Sequence, residues 1–132
     1  MMKRIVFVLL TATLLGACQK ADDNGDLGGN WKLLQILEFE SDSVMNVRKK
    51  GYSWAIQLDL LAINKKGELN HPGKGRFQHV GDSLFVQMIN IPHNATEFGL
   101  YNPKDERFKV ELLNNRKMTL RSKYALLQFC KF

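Results

Sequence analysis

The sequence predicts an all-β domain of about eight antiparallel strands running up and down, and three observations carry that expectation. From Trp31 onward the apolar residues recur mostly at every second position, the spacing that gathers them on one face of a strand. Turn formers, Gly-Asp at 81–82, Asn-Pro-Lys-Asp at 102–105 and Asn-Asn at 114–115, interrupt those runs every few residues,. Setting aside residues 1–17 of the 132 leaves 115, enough for one core with no need of a second domain,. Short strands joined by short turns form either a barrel or a sandwich, and an up-and-down barrel removes the open edges that invite aggregation.

Taken in order, the chain begins with a segment that directs export. Lys3-Arg4 precedes an apolar run, and Leu15-Gly16-Ala17-Cys18 closes it. Small residues before a cysteine form a lipobox, so residues 1–17 read as a signal peptide and Cys18 as the acylated first residue of a lipoprotein. A transmembrane anchor is the competing reading, but the apolar stretch 5–17 falls short of the roughly 20 residues that span a bilayer. A soluble secreted form is the other alternative. Lipid chains at Cys18 would make the membrane the first partner of the protein.

Residues 18–28 read as a lipidated flexible tether, because they carry charge and glycine without apolar periodicity,. Gln19-Lys20 followed by acidic residues resembles the export signals of surface lipoproteins in Gram-negative bacteria, with a plain spacer as the alternative. The missing Asp after Cys18 fits the outer membrane, on its periplasmic or cell-surface face. The full chain carries a net charge of +6, which falls to +4 once Lys3 and Arg4 leave. Charges of both signs are interspersed with no dense basic stripe, which argues against nucleic acid as a partner. Lipidation of Cys18 would leave Cys130 as the sole thiol, so no internal disulfide is expected; Cys130 between Phe129 and Phe132 reads as a small, at least half-buried hydrophobe,.

The remaining 104 residues, 29–132, are the barrel domain. Residues 31–38 make a first strand, and 52–63 a long second one with Trp54, Ile56, Leu58 and Leu60 on one face. Asn64-Lys65-Lys66-Gly67 turns the chain, then 75–80 and 83–89 flank Gly81-Asp82 as a tight hairpin,. A second hairpin joins 96–101 to 106–113 through the Asn-Pro turn, with Phe108, Val110 and Leu112 sharing one face. Strands at 117–121 and 125–131 close the chain, with Met118 and Leu120 facing in. Residues 39–50 read as a long loop with a short helix that Ser41 or Asp42 would cap, and 70–75 as a mobile loop.

Gly29-Asn30-Trp31 at the start of the first strand matches the Gly-x-Trp signature of lipocalins. With the eight-strand order, the segments Trp54-Ala55-Ile56-Gln57-Leu58-Asp59-Leu60-Leu61, Gly81-Asp82-Ser83-Leu84 and Phe108-Lys109-Val110, and the ending Leu127-Gln128-Phe129-Cys130-Lys131-Phe132, most of residues 29–132 resembles small lipocalin-like (calycin-type) bacterial lipoproteins. The resemblance implies that Trp31 plugs one end of the barrel beneath a cation from the last strand. Lys131 is the nearest candidate, and Arg121 the next. It also implies a small hydrophobic ligand inside the cup, because eight strands leave room either for one ligand or for packed side chains.

Ile56, Leu58, Leu60, Phe108, Val110, Met118 and Leu120 are the proposed inward contacts, with Ser122 and Tyr124 as polar ones. The competing reading makes all of them ordinary core. An enzyme is not expected: His71, His79 and His93 are scattered, and neither a Gly-x-Ser-x-Gly nor a His-Glu-x-x-His pattern occurs,. No cofactor or metal site is expected, since His93 and Glu97 alone do not hold zinc. The remaining alternative is a protein-interaction or inhibitor module with a packed barrel, engaging its partner through loops 39–51 and 70–75.

Overall fold

The computed structural model describes residues 24–68 and 72–132. The signal peptide, Cys18, most of the tether and His71 lie outside the described residues. Nine strands form one antiparallel sheet: β1 (Gly29–Glu38), β2 (Ser43–Asn46), β3 (Tyr52–Gln57), β4 (Leu60–Lys65), β5 (Gly73–Val80), β6 (Ser83–Asn90), β7 (Glu106–Leu113), β8 (Lys117–Arg121) and β9 (Ala125–Lys131). Their order is β2-β1-β3-β4-β5-β6-β7-β8-β9, and β1 pairs again with β9, which closes the sheet. β2 faces residues 35–38 of β1 and β3 faces residues 29–32. These two strands are thus one interrupted partner of β1, and the barrel has eight staves.

The meander sorts the connections to two ends. The β3–β4, β5–β6 and β7–β8 turns and both ends of the described chain gather at one end, the base. The connections β1–β2, β4–β5, β6–β7 and β8–β9 gather at the other, the mouth. Gly81-Asp82 makes the expected two-residue hairpin, with Gly81 at φ +61° and Val80 paired to Ser83. Such turns need a positive φ at their first central position, which glycine supplies without steric cost.

Five segments of the barrel depart from the sequence reading. The long strand 52–63 is in fact two, because Leu58-Asp59 makes a tight turn and pairs Gln57 with Leu60. The alternation seen in the sequence therefore breaks at Leu58. Leu61 and Ile63 take the inward positions, while Leu58 and Leu60 are 47% and 51% exposed. Residues 39–50 hold a strand, β2, and a 3-10 turn at Arg48–Lys50 rather than one long loop. Ser41 caps no helix and donates to Glu38 Oε1 at 2.8 Å. Within 70–75, Gly73 onward belongs to β5.

The strand expected at 96–101 is a 3-10 turn, Ala95–Phe98, followed by Gly99 at φ +90°. Consecutive burial of Phe98, Gly99 and Leu100 cannot arise from a strand, whose neighbours point to opposite faces. In β7 a bulge between Val110 and Leu112 advances the phase by one residue,. Leu112 consequently points out and Leu113 packs on the core.

The tether's last residues also fold onto the barrel. Gly25–Leu27 is a 3-10 turn, and Leu27 is wholly buried. Asn24 Nδ2 donates to the Leu58 carbonyl at 2.9 Å, which fixes this segment against the β3–β4 turn.

Candidate functional site

Twenty-two apolar side chains are buried among the described residues and form one core cluster where a cup would be. Trp54 stands at the centre. Its ring meets Phe129 and Phe108 edge-on at centroid distances of 4.9 and 5.8 Å, the arrangement that places a positive ring edge on a negative face. Its Nε1 donates to the Phe98 carbonyl at 3.0 Å.

The β6–β7 connection supplies that carbonyl and acts as a stopper in the mouth. Phe98 and Leu100 are wholly buried, and the Phe98 ring lies 4.6 Å from Tyr52. A Cβ on Gly99 would sit 2.6 Å from Leu127 Cδ1, so only glycine lets the stopper seat this deeply. Tyr52 OH donates to Glu97 Oε2 at 3.1 Å and holds the 3-10 turn to the wall.

The base is closed as the Gly-x-Trp motif implied. Trp31 is fully buried, and its Nε1 donates to the Leu27 carbonyl at 2.8 Å. Lys131 Nζ lies 4.9 Å from the Trp31 ring centroid and donates to the Asp26 carbonyl at 2.9 Å. The last strand's lysine therefore takes the role of the stacking cation, while Arg121 lies over Phe39 instead and pairs with Glu111.

With both ends stopped, one open concavity at the mouth is a cleft of about 410 Å³ lined by Glu38, Phe39, Glu40, Tyr101, Lys123 and Tyr124. Tyr101 organises it. Its backbone N–H donates to Glu106 Oε1 at 2.8 Å and its OH to Glu38 Oε2 at 2.7 Å. Its ring stacks on Tyr124 at 5.6 Å and 16°. Ser122 lies buried in the β8–β9 turn, where its Oγ accepts from the backbone of Tyr124 and Ala125 at 3.1 Å each. Those two bonds orient Tyr124 toward Tyr101. The cleft thus has an aromatic wall, a carboxylate with two hydroxyl donors, and the Lys123 ammonium at its edge.

The electrostatics follow from these contacts. Hydrogen bonds from Tyr101 and Ser41 hold the Glu38 carboxyl below its ordinary value. Burial, then the Glu38 contact, pushes the Tyr101 phenol up, so it stays a donor. Glu106 is 2% exposed, and burial raises its carboxyl above the usual 4.5 although the Tyr101 and Asn102 amides oppose the shift.

The folded chain therefore holds a proton on Glu106 more tightly than the unfolded chain does. That contribution to stability is complete below 4.5 and is lost as pH rises through the raised value,. Glu106→Gln is expected to match the wild type below this window and to exceed it above. Denaturant melts on either side measure the difference, and one that does not grow with pH would contradict the assignment.

Of the proposed ligand contacts, the structure brings only Tyr124 to the mouth cleft. Ile56, Phe108, Met118 and Leu120 are core, and Val110 is half-buried beside it. Ser122 closes a turn; Leu58 and Leu60 lie on the outside. Sequence reasoning missed Glu38, Phe39, Glu40, Tyr101 and Lys123. The available signal was an aromatic beside each of three turns, Phe39, Tyr101 and Tyr124, which the meander collects at one end. Cys130 is half-buried, and His79 and His93 are exposed.

Comparison with known proteins agrees with this architecture. A family model described as a lipocalin-like domain matches residues 12–132, and the chain belongs to that family. A solved lipocalin-like protein from Bacteroides uniformis ATCC 8492 is 23% identical and superposes with a TM-score of 0.66, covering 82% of this chain and all of its own (100%). A second structure, an uncharacterized protein from Bacteroides eggerthii DSM 20697, is 20% identical with a TM-score of 0.62, covering 80% of this chain and 98% of its own. Both likenesses speak for the fold. No curated protein matches the chain.

Proposed function

We propose that this is a lipid-anchored lipoprotein of the cell envelope, held at the outer membrane through Cys18, whose lipocalin-like barrel binds a small hydrophobic ligand rather than transforming one. The observation that carries the binding half is the Tyr101–Tyr124 stack beside a fixed carboxylate in an open cleft of about 410 Å³. A few placed polar groups on an apolar wall are what a small-molecule site requires. The ligand site sits on the rim and not inside the cup, because Trp54 and the Phe98 stopper already fill the interior.

The anchor half rests on the lipobox, and globomycin is expected to make the precursor accumulate; unchanged processing contradicts it. For the cleft, the uncharged apolar probe N-phenyl-1-naphthylamine is expected to bind saturably. Tyr124→Ala removes one face of the stack and should weaken binding about tenfold, the value of one lost aromatic contact of about 1.4 kcal/mol. Binding that survives this substitution overturns the rim site. The packed interior also favours a second reading, an interaction or inhibitor module that meets a protein through the mouth loops. Absence of any probe binding, with capture of a protein partner that Phe39→Ser abolishes, would select it.

A further inference from the structure

We propose that the base of the barrel is a membrane-resting surface that dips aliphatic side chains into the headgroup region of an anionic bilayer; this rests on the lipid-anchor reading above. The first reason is where the chain leaves the fold. Asn24 is tied to the Leu58 carbonyl at the base, and Cys18 precedes it by six residues, which span at most about 20 Å even fully extended. A lipid on Cys18 therefore keeps the base, and not the mouth, within reach of the bilayer.

The second reason is what the base presents. Each of its three hairpins carries an exposed aliphatic residue at or beside its tip: Leu58 in β3–β4, Val80 in β5–β6 at 59% exposed and Leu112 in β7–β8 at 43%. Leu60 adds to the first. Arg116 and Lys117 stand exposed at the β7–β8 turn, and Arg76 beside Leu60. These cations suit lipid phosphates. Asp59 and Asp82 sit on the other two turns, so apolar insertion leads and charge assists.

The third reason is backbone strain. Leu58 has φ +56°, the left-handed region, in the first central position of its turn. Gly81 fills the same position in the neighbouring hairpin at φ +61°. A bulky residue there is a steric outlier that folding alone would replace with glycine. Its side chain is half in water, so packing does not repay the strain. Insertion into lipid does.

β1–β9 pairing and the Trp31 plug lie wholly within residues 24–132, so a chain of residues 19–132 contains every element among the described residues and lacks the cysteine that would carry lipid. In flotation with vesicles of phosphatidylethanolamine and phosphatidylglycerol, this chain is expected to partition to the membrane. Leu58→Gly should lower the partition coefficient about tenfold, one leucine's worth of buried apolar surface, while raising the melting temperature by relieving the strain. Val80→Ser should lower partition comparably with no gain in melting temperature. Failure to partition, or partition that both substitutions leave unchanged, overturns the proposal. The assay contains no acyl chain, so these outcomes are separate from the globomycin result that judges the anchor.

Discussion

Trp54→Ala is expected to cost the domain about 3–5 kcal/mol, the range for truncating a large buried aromatic. Total stabilities of small domains are about 5–15 kcal/mol, so this one change removes much of the margin. Three losses combine. The contacts with Phe108 and Phe129 go, the Phe98 carbonyl loses its donor, and a void opens on the barrel axis. The first two follow from any truncation; the third decides between a packed and a hollow barrel. If Trp54 fills the interior, the variant gains an enclosed apolar hole that takes up benzene or xenon, and the wild type takes up neither. Urea melts and ligand-detected NMR measure both quantities. A loss under about 1 kcal/mol would mean that the interior was never close-packed.

The same packing explains how far the sequence could be read. Strands β5, β6, β8 and β9 and the Gly81-Asp82 turn were legible because period-two alternation and glycine's positive φ are local properties. Trp31 and Lys131 were legible through a family signature, and the structure places the cation 4.9 Å from the ring centroid. Three things were not. Leu58 occupies a slot where turn chemistry calls for glycine, so the β3–β4 hairpin left no mark in the sequence and two proposed contacts fell on the outside. The bulge in β7 shifts phase without any composition cue. The stopper at 95–100 alternates in a strand-like way, yet it folds as a 3-10 turn because Trp54 Nε1 and the barrel wall reward its burial.

The mouth cleft was illegible for a different reason. Glu38 ends β1 while Tyr101 and Tyr124 lie in two connections, 23 to 86 residues apart, and the three are joined only when β1 pairs with β9 and the stopper seats. Placing the proposed ligand site at the rim and not in the cup therefore follows from one tertiary feature, the core side chains gathered inside the barrel. The rim is also the end farthest from the tether's exit, so a lipid-anchored chain would hold its aromatic cleft toward the aqueous side.

Trp31→Ala should be as costly as the change at Trp54, about 3–5 kcal/mol, but its consequences would concentrate at the base. The indole is wholly buried, bonded to the Leu27 carbonyl and covered by Lys131, which in turn holds the Asp26 carbonyl. Truncation thus frees residues 24–28 as well as opening the barrel floor, and amide exchange at Leu27 and limited proteolysis of that segment should both accelerate. Lys131→Met separates the parts of the plug: a cation over an aromatic face contributes only about 0.5–1 kcal/mol, so this variant should lose far less and keep Leu27 protected. Equal losses in the two variants would make the cation, and not ring burial, the source of closure. The distinction matters for the proposed anchor, because a pull on residues before Asn24 would reach the barrel through this turn. A fully buried indole that donates its hydrogen bond to the turn itself couples the barrel floor to the point where the proposed anchor would pull.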